Sequence, residues 1–152
     1  MNPINEILHE DGSCRDINFD REVSQKNLLH LIVFLNQHWE FKSLTDFEVK
    51  FEKLNLIDEE LPESFQAFWT KGTMIKELQL YAFKEKTGNY FLELTFFPQD
   101  LNKIELTLNT LTVFLTNLQR ITQSEKIFLR YENASWKYGE ITPDVILSHL
   151  DL

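Results

Sequence analysis

The sequence predicts an α+β fold in which a mostly antiparallel sheet forms one layer and the helices pack mainly on one of its faces. Segments with apolar residues at every second position, typical of strands, are interspersed with segments whose apolar residues recur every three or four positions, typical of helices. Two strand-like segments are joined by a short glycine-containing turn, and such hairpins build antiparallel sheets. The 152 residues contain no repeat and no linker, so we expect one two-layer domain over residues 1–152.

The first part of the chain contains the best-defined helix. Residues 1–8 fit either a short strand or an ordered lead-in, and their pattern does not decide between the two. Asp11-Gly12 predicts a turn, and residues 14–20 then alternate polar and apolar side chains as a strand does. Ser24 is a good N-cap, and the apolar stripe after it predicts a central helix. The stripe consists of Leu28, Leu31, Ile32, Leu35 and Trp39.

The middle of the chain combines an undecided segment, a predicted helix and a hairpin. Residues 45–56 fit a strand or a capped helix, and we favour the strand. Residues 61–72 predict a short helix, because Pro62 suits its first position and its aromatic residues form one stripe. That stripe consists of Phe65, Phe68 and Trp69, with Gly72 as the C-terminal cap. Residues 75–97 predict a β-hairpin that turns at Gly88-Asn89.

The last third predicts a helix, a strand and a second helix. Residues 107–122 place leucines three and four positions apart, at Leu108, Leu111, Leu115 and Leu118, which is helical spacing. Residues 125–139 predict a strand that turns at Asn133 into a second arm. Thr142 and Pro143 predict the start of a C-terminal helix. The predicted order is therefore β-α-β-α-β-β-α-β-α.

The net charge limits the classes of partner. The 15 basic residues stand against 24 acidic ones, which leaves a formal charge of −9. Nucleic acids and anionic membranes require a basic surface, so neither is expected as a partner. The charge favours a basic protein partner, although acidity also serves solubility alone. The N-terminal sequence has neither a basic segment nor an apolar run of signal-peptide length, so we expect a cytoplasmic protein.

No residue pattern specifies a reaction, a metal or a cofactor. Cys14 is surrounded in sequence by Glu10, Asp11 and Asp16, and nearby acids disfavour the reactive thiolate. His30 and His38 lie eight residues apart on the predicted helix, which is too far for both to bind one metal ion. With four glycines in the chain there is no phosphate-binding glycine loop. We therefore expect no cofactor, no metal and no catalytic residue.

Acidic residues are the best candidates for contacts with a protein partner. The densest acidic run precedes the aromatic residues of segment 61–72, and aromatic side chains are common anchors in protein interfaces. A second acidic pair occurs in the turn before the first predicted strand. The predicted partner-binding residues are Asp58, Glu59, Glu60, Glu63, Glu10 and Asp11.

Four stretches of the chain resemble small bacterial toxin-immunity proteins of the contact-dependent or polymorphic toxin type. The stretches are EDGSCRDINF at 10–19, FLNQHW at 34–39, FFPQDL at 96–101 and RYENASWKYG at 130–139. The resemblance implies a cytoplasmic α+β domain that binds and neutralises a cognate toxin, and it transfers no functional residue. Together with the charge it predicts a non-enzymatic inhibitor that covers the active site of a basic toxin, such as a nuclease. The alternatives are a small enzyme whose site is assembled from distant residues, and an adaptor or structural subunit.

Overall fold

One antiparallel sheet and a layer of helices make up the part of the protein that a computed structural model describes, which is residues 2–44, 61–132 and 144–150. The elements in chain order are α1 (Pro3–Leu8), β1 (Arg15–Phe19), α2 (Gln25–His38), β2 (Glu40–Leu44), β3 (Ser64–Thr70), β4 (Leu78–Lys84), β5 (Tyr90–Phe96), a 3₁₀ turn (Pro98–Asp100), α3 (Leu108–Thr122), β6 (Lys126–Tyr131) and β7 (Val145–Leu150). This arrangement confirms the predicted α+β class.

The strand order places the first strand of the chain between two strands that come much later. The order is β2-β3-β4-β5-β1-β6-β7, and every neighbouring pair is antiparallel. All five residues of β1 are buried, including the polar ones. A strand that is covered on both faces by side chains must satisfy its polar groups within the protein, because water does not reach them.

The helices pack on one face of the sheet, as predicted. Ile17 and Phe19 of β1 point to this face and belong to one apolar core with residues from all three helices. The α2 prediction is confirmed: the Asn27 amide donates to the Ser24 hydroxyl over 3.2 Å, and Leu31 and Leu35 are fully buried. Burial of that stripe, rather than helix propensity alone, holds α2 in place.

The hairpin and the second long helix also follow the prediction. Strands β4 and β5 pair on both sides of a turn in which Gly88 has a φ of 90°, a conformation that glycine adopts without strain. Thr107 and Thr110 form a reciprocal capping box at the start of α3. Three of the four predicted leucines of α3 are fully buried, whereas Leu108 is exposed at the first turn.

The helix predicted for residues 61–72 is wrong, because this segment forms β3. Phe65, Ala67 and Trp69 are buried at every second position, and residues 64–69 of β3 pair with β4. Phe68, which the helical prediction placed beside Phe65 and Trp69, points to the other face. Pairing with two neighbouring strands and the strand preference of aromatic residues outweigh the helical spacing of the aromatics.

The structure decides the two ends of the described chain. Residues 3–8, for which the sequence left a strand and an ordered lead-in open, form a helix: the Asn2 side chain accepts a hydrogen bond from the Ile4 amide, and Pro3 occupies the first turn. The predicted C-terminal helix is wrong, because residues 145–150 form strand β7 on the outer side of β6. The predicted elements at 45–56 and the predicted turn at Asn133 lie outside the described residues.

Candidate functional site

The sheet face that points away from the helices carries a regular grid of polar and aromatic side chains, which we call the far face. Antiparallel partners point to the same side of a sheet, so the strand register gives their positions directly. One cross-strand row is Phe68, Gln79, Thr95, Asp16 and Arg130, and the next is Gln66, Tyr81, Glu93, Asn18 and Phe128.

Arg130 is the centre of a buried ion cluster on this face. The residue is only 1% exposed. Its Nη2 lies 3.0 Å from Oε2 of Glu93 and 3.8 Å from Oδ2 of Asp16. Its Nε donates to Oδ1 of Asn18 over 2.7 Å, and Nη1 lies 3.3 Å from Oδ2 of Asp144. A buried guanidinium with carboxylates on several sides is stabilised because each partner offsets part of the cost of removing charge from water.

The carboxylates of the cluster are costly to keep ionised. Burial raises the pKa of Asp16 above its ordinary value, although hydrogen bonding from Thr95 and the charge of Arg130 oppose this shift. Burial also raises the pKa of Glu93, and the negative charge of Asp16 adds to the rise. Burial thus disfavours the ionised form of both carboxylates, and the charge of Arg130 offsets only part of this cost.

A cavity of about 420 Å³ lies above the cluster, and we call it the far-face cavity. Its volume falls in the range typical of ligand sites, which is roughly 300–1,000 Å³. Glu132 and Tyr81 are exposed at its rim. The described residues that line it are Cys14, Asp16, Gln66, Gln79, Tyr81, Phe91, Glu93, Thr95, Phe97, Arg130 and Glu132.

Cys14 lies in this cavity but is poorly suited to act as a nucleophile. Burial and the nearby charge of Asp16 raise the pKa of its thiol to about 12. The Sγ atom lies 3.6 Å from Oδ1 of Asp16, to which it donates a weak hydrogen bond. No histidine is found among the described residues that line the cavity, so no base from them lowers this pKa.

The structure separates the predicted acidic residues instead of gathering them. Glu63 is exposed just before β3, and its carbonyl accepts the Lys84 amide beside the start of β5. Glu10 and Asp11 are exposed before β1, which begins opposite Phe96 at the end of β5. The two groups therefore lie at opposite ends of the strands, about 20 Å apart along the strand direction. Asp58, Glu59 and Glu60 lie outside the described residues.

Asp11 is exposed, but its carboxylate also has a structural role in the turn before β1. Its Oδ1 accepts hydrogen bonds from the hydroxyl and the amide of Ser13, at 2.6 and 3.0 Å, and lies 3.4 Å from Nη1 of Arg15. The bonds from Ser13, with a smaller contribution from Arg15, lower the pKa of Asp11 to about 2. This carboxylate holds the turn that leads into β1.

The alternation of residues 14–20 predicts a strand but not the far-face cluster, because it does not show whether the polar face of the strand is solvated or buried. The structure buries that face: Asp16 is 4% exposed and Asn18 is fully buried. One signal was available: Arg130 interrupts the apolar run of residues 127–129, and a lone charge in such a strand is typical of a buried ion pair.

A second cavity of about 410 Å³ lies on the helical side of the sheet. In its apolar wall the ring of Phe114 packs against those of Phe34 and Trp39, and its rim includes Glu105 and Val113. It contains none of the charge pairs of the far face. This groove supplies matched control positions for experiments on the far-face cavity.

The described part of the chain contains neither a cluster of metal ligands nor a helix suited to span a membrane. Residues 2–44, 61–132 and 144–150 contain no group of three or more histidine, cysteine, aspartate or glutamate side chains arranged to hold a metal ion. Among the same residues, no helix combines the length and the apolar character that crossing a lipid bilayer requires.

Comparison with known proteins gives one structural match. No protein-family model and no curated protein matches the sequence. The fold is similar to that of a chain in the crystal structure of the toxic C-terminal tip of CdiA from Pseudomonas aeruginosa in complex with an immune protein. The TM-score is 0.56 at 12% sequence identity, and the match covers 86% of this chain and 97% of the other. At this identity the likeness concerns the fold.

Proposed function

We propose that the protein is a bacterial immunity protein that acts without catalysis, by binding a cognate toxin and covering its active site. The observation that carries the proposal is the similarity in fold to a chain of a toxin–immune protein complex, over nearly the whole of that chain. The resemblance of four sequence stretches to toxin-immunity proteins motivates the same proposal, although no family model and no curated protein matches the sequence.

The charge of the protein supports a basic toxin as the partner. A formal charge of −9 attracts a basic domain over several ångströms and raises the rate of encounter. A toxin that acts on nucleic acid needs a basic cleft, and carboxylates placed in that cleft take the positions of substrate phosphates. We therefore propose a nuclease as the toxin and the bacterial cytoplasm as the place of inhibition.

The chemistry of the far-face cavity supports binding over catalysis. Its thiol has a raised pKa, and its arginine is engaged by neighbouring carboxylates and an amide. An enzyme with a site assembled from distant residues would need a base or nucleophile whose pKa is shifted towards neutrality. The cavity lining therefore favours a recognition site.

The test is protection of a growing cell. The C-terminal domain of the protein encoded directly upstream of this chain is expressed in a bacterial host, with and without this chain. We expect growth arrest with the upstream domain alone and normal growth when this chain is present. Purified components should then form a complex whose association slows as salt is added.

The matched structure contains a toxin as well as an immune protein, and the same experiment distinguishes which of these two roles this chain has. Expression of this chain alone is the necessary control, and we expect it to leave growth unchanged. Growth arrest by this chain alone would reverse the assignment from immunity protein to toxin. Growth arrest that persists during co-expression, with no complex in vitro, would contradict the proposal.

A further inference from the structure

We propose that the far-face cavity receives an arginine side chain of the protein partner. The inference rests on the proposed function for the existence of that partner, and it names the chemical group that the partner inserts. Three features of the cavity carry it: an excess of carboxylates among the described lining residues, an oxygen of the buried residue Asp16 whose charged contact is a long one to Arg130, and aromatic rings beside the carboxylates.

The charges of the described residues that line the cavity do not balance. Among the described lining residues, the carboxylates of Asp16, Glu93 and Glu132 face a single guanidinium, that of Arg130. Arg130 is in addition bound by Asp144, which lies outside the cavity lining. A further positive charge in the cavity would therefore meet a net attraction, and the buried surroundings strengthen such an interaction relative to water.

Asp16 offers an acceptor that the described residues leave unused. Its Oδ1 receives the hydroxyl of Thr95 at 2.8 Å and the thiol of Cys14 at 3.6 Å. No described group donates a hydrogen bond to Oδ2, whose nearest cationic atom is Nη2 of Arg130 at 3.8 Å. Asp16 is only 4% exposed. An ionised oxygen in such a place is stabilised when a hydrogen-bond donor reaches it.

The aromatic residues make arginine a better occupant than lysine. Tyr81 lies directly across from Glu93 in the strand register, which puts a ring and a carboxylate about 5 Å apart at their Cβ atoms. The rings of Tyr81 and Phe91 meet edge to face, with centroids 6.4 Å apart. A planar guanidinium stacks on such a ring while its N–H groups reach a carboxylate, which the compact ammonium group of lysine does less well.

The direct test uses a small probe and needs no toxin. The ¹⁵N-labelled protein is titrated with N-acetyl-arginine amide, and backbone amide shifts are followed by NMR. We expect saturable, millimolar binding with the largest shifts at residues 16, 81 and 93. N-acetyl-citrulline amide, which has a similar shape but no charge, should bind at least about tenfold more weakly, as should N-acetyl-lysine amide.

Variants at the rim test the place of binding without disturbing the buried cluster. Glu132→Gln removes one charge, and Tyr81→Ala removes a ring that is 38% exposed. Each should weaken arginine binding several-fold in a folded protein. The thermal midpoint should be unchanged in Glu132→Gln and moderately lower in Tyr81→Ala, which loses the ring contact with Phe91. The matched controls are Glu105→Gln and Val113→Ala on the helical side, which should leave arginine binding unchanged.

Each contrary result has a definite meaning. Shifts that do not saturate, equal binding of the citrulline derivative, or undiminished binding by both rim variants would overturn the inference. Equal or tighter binding of the lysine derivative would overturn the choice of arginine. Protection from the toxin without arginine binding would refute this site and leave the proposed function intact, whereas arginine binding without protection would refute the proposed function.

Discussion

The guanidinium of Arg130 on β6 lies 3.0 Å from the carboxylate of Glu93 on β5. The two strands flank β1 in the sheet and are far apart in sequence. Arg130 is 1% exposed, and the side chain of Glu93 is 24% exposed. A buried pair of this kind adds little net stability compared with apolar residues of the same shape. Breaking it is nevertheless costly, because the remaining charge is left without compensation.

Removal of the guanidinium should therefore destabilise the fold strongly. We expect Arg130→Met to lower the free energy of unfolding by about 3–5 kcal/mol, since the carboxylates of Asp16 and Glu93 lose their counter-charge. Chemical denaturation at pH 7 measures the change. The control is Arg21→Met, which breaks an exposed ion pair with Glu125 and should cost about 0–1 kcal/mol. Equal effects of the two substitutions would show that the cluster is not buried as described.

Mild acidification should stabilise the protein. Burial raises the pKa of Asp16 and Glu93 in the folded state, so between the ordinary carboxyl pKa and the raised one the folded state binds more protons than the unfolded state. The free energy of unfolding should then rise as the pH falls from neutrality into this window. At still lower pH, protonation of Asp11 has the opposite effect on stability. Its pKa in the folded state is lowered to about 2, so the free energy of unfolding decreases as the pH falls towards this value.

The variant Asp16→Asn tests how much this buried carboxylate contributes to the pH dependence, both directly and through its effect on the pKa of Glu93. It removes one of the two groups with a raised pKa, so stability should change less between pH 7 and pH 5 than in the unmodified protein. Thermal unfolding across this range measures the slope. A slope that the substitution leaves unchanged would assign the effect to other carboxylates.

Cys14 should be both unreactive and dispensable. Its thiol pKa of about 12 and its burial leave almost no thiolate at pH 8. We expect a chromogenic disulfide reagent to modify it only at the rate of global unfolding, and Cys14→Ser to retain fold and partner binding. Rapid modification of the folded protein, or loss of function in a well-folded serine variant, would contradict this view.

Leu35 should contribute heavily to the core. It is fully buried at the centre of the apolar stripe of α2. We expect Leu35→Ala to cost about 2–5 kcal/mol through lost apolar burial and a residual cavity. Val113→Ala provides the control, because that side chain is 54% exposed and its loss should cost within about 0.5 kcal/mol. Denaturant titration of both variants compares the two costs.

The acidic run before β3 should govern the rate of association with a basic toxin. Neutralising Asp58, Glu59, Glu60 and Glu63 together should lower the on-rate by about tenfold and weaken its salt dependence. Stopped-flow binding at several salt concentrations measures both quantities. Glu10→Gln serves as the comparison at the other end of the strands. An on-rate of the unmodified protein that is independent of salt would refute electrostatic steering, and an unchanged salt dependence in the quadruple variant would move the contact elsewhere.

Helix α2 and the β4–β5 hairpin were predictable because their signals are local. A capping serine, fourteen residues of helical periodicity and a glycine turn each act within a short stretch of chain. Segment 61–72 shows the limit of this reasoning. Phe65, Phe68 and Trp69 have helical spacing, while Phe65, Ala67 and Trp69 have strand spacing. Only the neighbouring strands β2 and β4, which offer partners for the backbone, decide between them.

The far-face cluster depends on contacts that no local pattern contains. The sequence alone determines that Asp16 and Asn18 share one face of a strand, since side chains alternate along any strand. The neighbouring strands decide whether that face is solvated or buried. Asn18 accepts a hydrogen bond from Arg130, which lies 112 positions later in the chain. The tertiary structure places β1 between β5 and β6, and this removes water from the polar side chains and leaves charge partners as their means of compensation.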